Sequence, residues 1–369
     1  MKYVRMFIEK ESPEQLGYDK IKNNLTETSV RDRNIKDLGL VLDDILLPYG
    51  DHLGDPRLRE IIAQQSGVDS PNEVLVTAGA ASALFLVASS LLEPGDKMIV
   101  SRPNYGTNIE TPRAIGADIS YLDQKFEDGY KVNIDKLKSM IHPDTKYISL
   151  TNPHNPTGTM MSLSELKEVI ALAEKHDIWL LIDETYRDMF KDEVLPVAAS
   201  LSDKVISISS LSKTYGIPGI RIGWTVCRDK KMNDLLLCAK EQVSIGGSVV
   251  DEYIGYVALS QKAEWIKQND ATIADRFAAV KEWIEHEEFM EWIEPRAACT
   301  CFPRIKPEVE VDVEKVYLLM NEKYGTYVGP GHWFEQSRRH MRIGYGWPLH
   351  DELVRGLKTI SLAVRESLI

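Results

Sequence analysis

Lys213 stands where a lysine is rarely left without a task. It follows the apolar run Val205 to Ile208 and sits among small residues. Ser210 and Ser212 flank it on one side, Gly216, Pro218 and Gly219 on the other, and Arg221 follows one short loop later. An ammonium is strongly hydrated and ordinarily belongs on the surface. At the end of a buried strand, its amine suits a base or a Schiff-base former. The serine hydroxyls and the Arg221 guanidinium suit a phosphate. A surface loop that merely contains a lysine and an arginine is the plain alternative.

In an open α/β sheet, ligands gather beyond the carboxyl ends of the strands, so the residues after each apolar run matter most. Gly79, Ala80 and Ala81 follow Val74 to Thr77 and open a helical stretch. Their small side chains let backbone N–H groups reach a phosphate, or simply make a tight packing turn. Tyr105 follows the run ending at Ser101; its ring can stack on a flat ligand or pack half-buried. After Thr151 come two Asn-Pro steps and a glycine, Asn152 to Gly158, which fix a stiff turn. Asp183 ends the apolar run Trp179 to Ile182, where a carboxylate is costly without a partner; capping a helix is its bland role. Arg342 lies far downstream in the segment His340 to Tyr345, where a surface arginine is the plain reading.

Taken in chain order, these segments resemble the class I and II aminotransferases, the aspartate-aminotransferase-like enzymes that use pyridoxal 5'-phosphate (PLP). The resemblance runs from Tyr49 to about Arg342 through seven motifs. It implies that Lys213 holds the cofactor covalently and that Ser210, Arg221 and the turn Gly79, Ala80, Ala81 bind its phosphate. The family often has a hydroxyl residue where Ala81 stands, so backbone donors, helped by Ser82, must suffice. Tyr105 falls where the family stacks an aromatic on the PLP ring. Asn155 and Tyr186 fall where it places donors to the ring oxygen, and Asp183 where it places the partner of the ring nitrogen. Two unit charges about 4 Å apart gain roughly 4 kcal/mol at an effective dielectric near 20. That is about three pKa units, enough to keep a ring nitrogen protonated as an electron sink. Tyr49, in a segment running to Arg59, matches the tyrosine that reaches the phosphate of a neighbouring subunit, which implies a homodimer with shared sites. Arg342 matches the arginine that grips the substrate α-carboxylate.

The elements that must position these groups are legible too. Strands are expected at 74–77, 97–101, 118–122, 147–151, 179–182, 205–208 and 223–227, alternating with helical patterns such as 163–176, capped by Ser162 or Ser164. Strands alternating with helices imply a mostly parallel α/β sheet, and runs such as Trp179 to Ile182 imply burial on both faces. Residues 232–243 and 249–283 read as helical, the latter as one long region. The expected fold is a fold-type-I PLP transferase: a mostly parallel seven-stranded sheet between helices, plus a smaller α+β domain. The expected division is an N-terminal arm at 1–45, a large PLP-binding domain at 46–250, and a linking helix with the small domain at 251–369.

Composition sets the remaining bounds. At 369 residues the chain can bury a large core, and its net charge of −12 comes without a basic block. That argues against nucleic acid or an anionic membrane as partner. A small anionic ligand therefore needs a locally built basic site. The near charge-free stretch 74–92 is long enough to span a membrane, but its serines, Thr77 and Gly79 make it a strand, turn and helix. Four cysteines without a CxxC pair indicate neither a metal nor disulfides. With no visible signal peptide in 1–14, a cytoplasmic location is expected.

Two regions depart from the family pattern: residues 24–28, which lack its glycine-containing loop, and 298–304 around Cys299 and Cys301. Both normally meet the substrate. The expected reaction is transamination of an L-amino acid with a 2-oxo acid. A PLP-dependent lyase, cyclase or oxidase shares the same cofactor shell and is the alternative, because the pocket decides which bond breaks. With Arg342 on the α-carboxylate, the substrate side chain points toward the N-terminal stretch and the neighbouring subunit's Tyr49 region. There Glu27, with Asp51 near Tyr49 in sequence, puts negative charge that dicarboxylate-specific relatives replace by positive charge. The side chain accepted is then neutral, aromatic or cationic, an arginine-like amine being the sharpest form. Glu27 capping a helix or facing solvent is the plain alternative.

Overall fold

The computed structural model describes residues 1–43, 45–189 and 194–369. Seven strands form the central sheet: β1 Val74–Thr77, β2 Lys97–Arg102, β3 Asp118–Asp123, β4 Thr145–Thr151, β5 Trp179–Asp183, β6 Val205–Ser210 and β7 Gly223–Val226. All seven expected strands are present, with ends moved by at most two residues. Their order is β1-β7-β6-β5-β4-β2-β3. Only β7 runs antiparallel to its neighbours; the others are parallel. The carboxyl ends of β2, β4, β5 and β6 therefore open on one edge, and the start of β7 joins them there.

Alternation along each strand sends side chains to two separate cores. Ile148, Leu150, Leu180, Ile182 and Val205 pack on one face with Leu166, Val169 and Ile170 of the helix Leu163–His176. Tyr147, Leu181, Ile206 and Ile208 pack on the other with Leu84, Leu86 and Val87 of the helix Gly79–Leu91. The stretch 74–92 is thus a buried strand and helix, and no helix among the described residues is long and apolar enough to cross a membrane. Ser162 is the cap of the helix Leu163–His176: its Oγ accepts from the Glu165 N–H, and the Glu165 carboxylate answers the Ser162 N–H.

The region 249–283 is two helices rather than one, Val249–Ser260 and Lys262–Glu285, broken at Gln261. Sequence periodicity misses the break because both pieces keep an apolar face. The faces have different neighbours. Ile254, Ala258 and Leu259 join the core around the sheet. Ile273, Val280 and Ile284 join a second core with Leu353, Leu357 and Ile360 of the helix His350–Arg365. The short strands Gly329–Pro330, Met341–Gly344 and Thr300–Cys301 form an antiparallel sheet in that part. The N-terminal segment is built into both parts. Asn23–Asn24 pairs with Thr326–Tyr327, and the Val30 N–H donates to the Lys213 carbonyl at 3.0 Å.

Candidate active site

Strand register assembles the site. Thr77 and Ser210 both lie opposite Gly223, so β1, β7 and β6 bring three small residues abreast. Thr151 and Asp183 lie side by side on β4 and β5. Ala80, Ala81, Ser210, Ser212, Lys213 and Arg221 line one cavity of about 810 Å³. Tyr105, Asn155, Asp183, Tyr186, Arg342 and Glu27 line the same cavity.

At one end the backbone itself makes the wall. Gly79 adopts φ +80°, and a Cβ there would lie 2.5 Å from an Arg221 nitrogen. A Cβ on Gly223 would lie 2.5 Å from the Gly79 carbonyl carbon. Only glycine allows the helix start, β7 and the guanidinium to meet this closely. Arg221, itself left-handed at φ +49°, is held by its Nη1 donating to the Pro218 carbonyl at 2.7 Å. Ser210 Oγ accepts from the Ser212 N–H at 3.4 Å. A helix N-terminus, serine hydroxyls and a guanidinium form an anion site on an otherwise acidic chain.

The middle of the cavity is set by Asp183. The Thr185 N–H and hydroxyl both donate to its Oδ1, at 3.1 and 2.6 Å. Burial pushes its carboxyl above the ordinary range; the Thr185 bonds, Asn108 and the Lys213 ammonium pull the other way. Asn108, not anticipated from the sequence, belongs to a buried network. Asn104 Oδ1 accepts from Asn108 at 3.3 Å and from Thr151 Oγ1 at 2.8 Å, and Asn108 Oδ1 accepts from Ser149 Oγ at 2.9 Å. The two asparagines flanking Tyr105 at a helix start were the available signal. His154, buried between Pro103 and Thr157, is pushed down to about 4 by desolvation and stays neutral.

Arg342 closes the far side and is no surface residue: it is 5% exposed. Its Nη1 donates to Asn155 Oδ1 at 3.2 Å and its Nη2 to the Thr26 carbonyl at 3.0 Å. The Phe334 ring lies 4.9 Å from the guanidinium carbon, and its Nε has no partner among the described residues. The Tyr186 hydroxyl shares a 2.6 Å bond with Thr28 Oγ1. Residues 24–28, which depart from the family pattern, thus meet Arg342 and Tyr186 directly. Glu27 neither caps a helix nor faces open solvent: Tyr18 donates to its carboxylate at 3.2 Å. Burial raises its pKa, opposed by Lys213 and Arg342.

Two positions fall elsewhere. Tyr49 is 90% exposed and does not line the cavity of its own chain. The Asp51 carboxylate accepts from Arg59 at 2.9 Å and from the Leu53 N–H. Glu9, Glu14 and Tyr18 line the cavity instead. No local pattern marks them, because acidic residues on short polar segments read as solvent-facing.

A glycine-walled anion cradle, a buried carboxylate with raised pKa and a lysine amine without a side-chain partner among the described residues line one cavity and fit a phosphorylated, basic-ring aldehyde. Fold and site together define a PLP-dependent transferase of fold type I. The chain belongs to the aminotransferase class I and II family, whose model matches residues 18–355. It is 30% identical to the capreomycidine synthase of Streptomyces vinaceus over 87% of this chain and 82% of that protein. A PLP-dependent aminotransferase from Streptococcus suis superposes with TM-score 0.91 at 29% identity, covering 100% of this chain and 99% of that one. The PLP-dependent cyclase OrfR superposes with TM-score 0.88 at 25% identity, covering 99% and 98%.

Proposed function

We propose that this aminotransferase passes the amino group of an L-amino acid to a 2-oxo acid. The observation that carries the reading is the convergence of Lys213, Asp183 and Arg342 on one cavity. PLP, when bound, supplies an amine-reactive aldehyde and a ring that draws electrons from the substrate α-carbon. Ser210, Arg221 and the turn Gly79, Ala80, Ala81 would hold its phosphate. Tyr105 would cover the ring face, Asp183 would keep the ring nitrogen charged, and Asn155 and Tyr186 would donate to the ring oxygen. Lys213 would anchor the cofactor and then move the proton at the substrate α-carbon. Arg342 would fix the α-carboxylate from its buried place in the cavity wall.

A cyclase or related reaction is the second reading. It is favoured by the names of the Streptomyces vinaceus and OrfR relatives. One assay separates the two: product analysis with and without added 2-oxo acid, scoring amino transfer against ammonia or peroxide release. Turnover dependent on the oxo acid is expected. Turnover indifferent to it would replace transamination with the second reading.

The same reading makes the protein a cytoplasmic homodimer, divided into an arm at 1–45, a PLP-binding domain at 46–250 and a linking helix with small domain at 251–369. Leu46, Leu47 and Tyr49 are 84, 73 and 90% exposed in succession. Such an apolar run supports a surface covered by a second copy. Sedimentation is expected to give a dimer, and Tyr49→Phe to weaken PLP affinity severalfold while the protein still folds. A fully active monomer would exclude a shared site. The four cysteines are all unpaired, which supports a reducing compartment.

A further inference from the structure

Residues 1–16 form a strap across the cavity, fastened at both ends. The Lys2 N–H donates to the Ala114 carbonyl at 2.8 Å. The Glu11 carboxylate accepts from His332 at 2.9 Å and from Trp333 Nε1 at 2.7 Å. Between these points Arg5 donates to Gln15 Oε1 and to the Glu9 carbonyl, both at 2.8 Å. The strap thereby places Glu9 and Glu14 against the cavity, beside Glu27.

The charges lining the cavity divide cleanly. Asp32 is engaged by Trp347 Nε1 at 2.8 Å, and Arg33 by Asn269 and the Trp265 ring. Lys213, Arg221, Asp183 and Arg342 would be taken by the cofactor and the α-carboxylate. Glu9, Glu14 and Glu27 remain, and none forms a salt bridge among the described residues. They feel one another: after burial, the Glu14 charge is the next cause raising the Glu9 carboxyl, and it also raises Glu27. The same cavity is lined by Arg342, which is 5% exposed. A cavity that holds a buried guanidinium together with three carboxylates outside any salt bridge among the described residues matches a ligand carrying a carboxylate and a remote cation.

We propose that Glu9, Glu14 and Glu27 recognise a cationic side chain, so that the amino acid taken is a long basic one. The inference rests on Arg342 holding the α-carboxylate and Lys213 carrying the cofactor. A second carboxylate on the ligand would meet three like charges, and a neutral side chain would leave them unneutralised in a partly desolvated site.

The test compares L-arginine with L-citrulline, which has nearly the same shape without the charge. Dissociation constants are measured by calorimetry on the holoenzyme and on cofactor-free protein, alongside kcat/KM. Arginine is expected to bind at least about tenfold tighter, the worth of a charged hydrogen bond. Glu14→Gln and Glu27→Gln are each expected to collapse that ratio toward one, and Glu14→Asp to retain most of it. If Glu14→Gln fails to fold, judged by thermal unfolding, Glu9→Gln replaces it. Citrulline binding as tightly as arginine, or a ratio untouched by every neutralising variant, would overturn the proposal. Turnover of citrulline or norleucine but not arginine would sink the charge preference alone. A holoenzyme that neither binds nor turns over any amino acid would sink the transferase reading with it.

Discussion

Lys213→Ala is expected to lower turnover by roughly three orders of magnitude or more, within the range for removing a positioned general base, with loss of the covalent anchor besides. The cofactor should still bind, because the cradle of Gly79, Ser210 and Arg221 does not depend on the lysine side chain. Borohydride reduction and peptide mapping give the direct reading: a pyridoxyl group on Lys213 in the wild type and on no lysine in the variant. Lys213 forms no salt bridge or side-chain hydrogen bond among the described residues and lines the cavity that also holds Asp183 and Arg342, so its amine is available for this work. A label on any other lysine would remove the basis of the assignment.

Asp183→Asn is the second large effect. A neutral amide keeps the shape but cannot hold a ring proton, so PLP should be retained while turnover falls at least about a hundredfold. An ion pair of this kind is worth roughly 4 kcal/mol at an effective dielectric near 20. The cofactor-free protein offers an independent check. The Asp183 carboxyl is raised above its ordinary 3.8 in the folded chain. The native state therefore binds this proton more tightly than the unfolded state. Its contribution to stability is greatest below pH 3.8 and declines as pH rises to the folded pKa. Once ionised, the group is a buried charge without a ring cation beside it. Cofactor-free Asp183→Asn should consequently unfold at the same or a higher temperature than cofactor-free wild type. Saturating PLP should stabilise the wild type more than the variant. Near-normal turnover in Asp183→Asn would contradict the role.

Much of the site was legible because its residues sit at strand ends. Each of Gly79, Tyr105, Asn155, Asp183 and Ser210 follows or ends an apolar run, and alternation within those runs fixes which face each residue takes. Placing the strand places the residue. The capping of Leu163–His176 by Ser162 was equally local. The break at Gln261 was not, since both helices it separates are amphipathic and only their neighbours differ.

The sequence by itself determined the sheet and the residues that follow its strands, among them the Gly79 turn, Ser210 and Lys213, because short-range pattern and strand register suffice to bring these groups together. The tertiary structure alone decided what surrounds the substrate. Thr26 and Thr28 reach Arg342 and Tyr186 only because the N-terminal segment pairs with the small domain. Glu9 and Glu14 are carried into the cavity that Glu27 lines by a strap fastened at Ala114 and His332. A carboxylate on a short polar segment has the same local signature in solvent as in a cavity. Which of the two it occupies depends on contacts with residues hundreds of positions away, which no local pattern encodes.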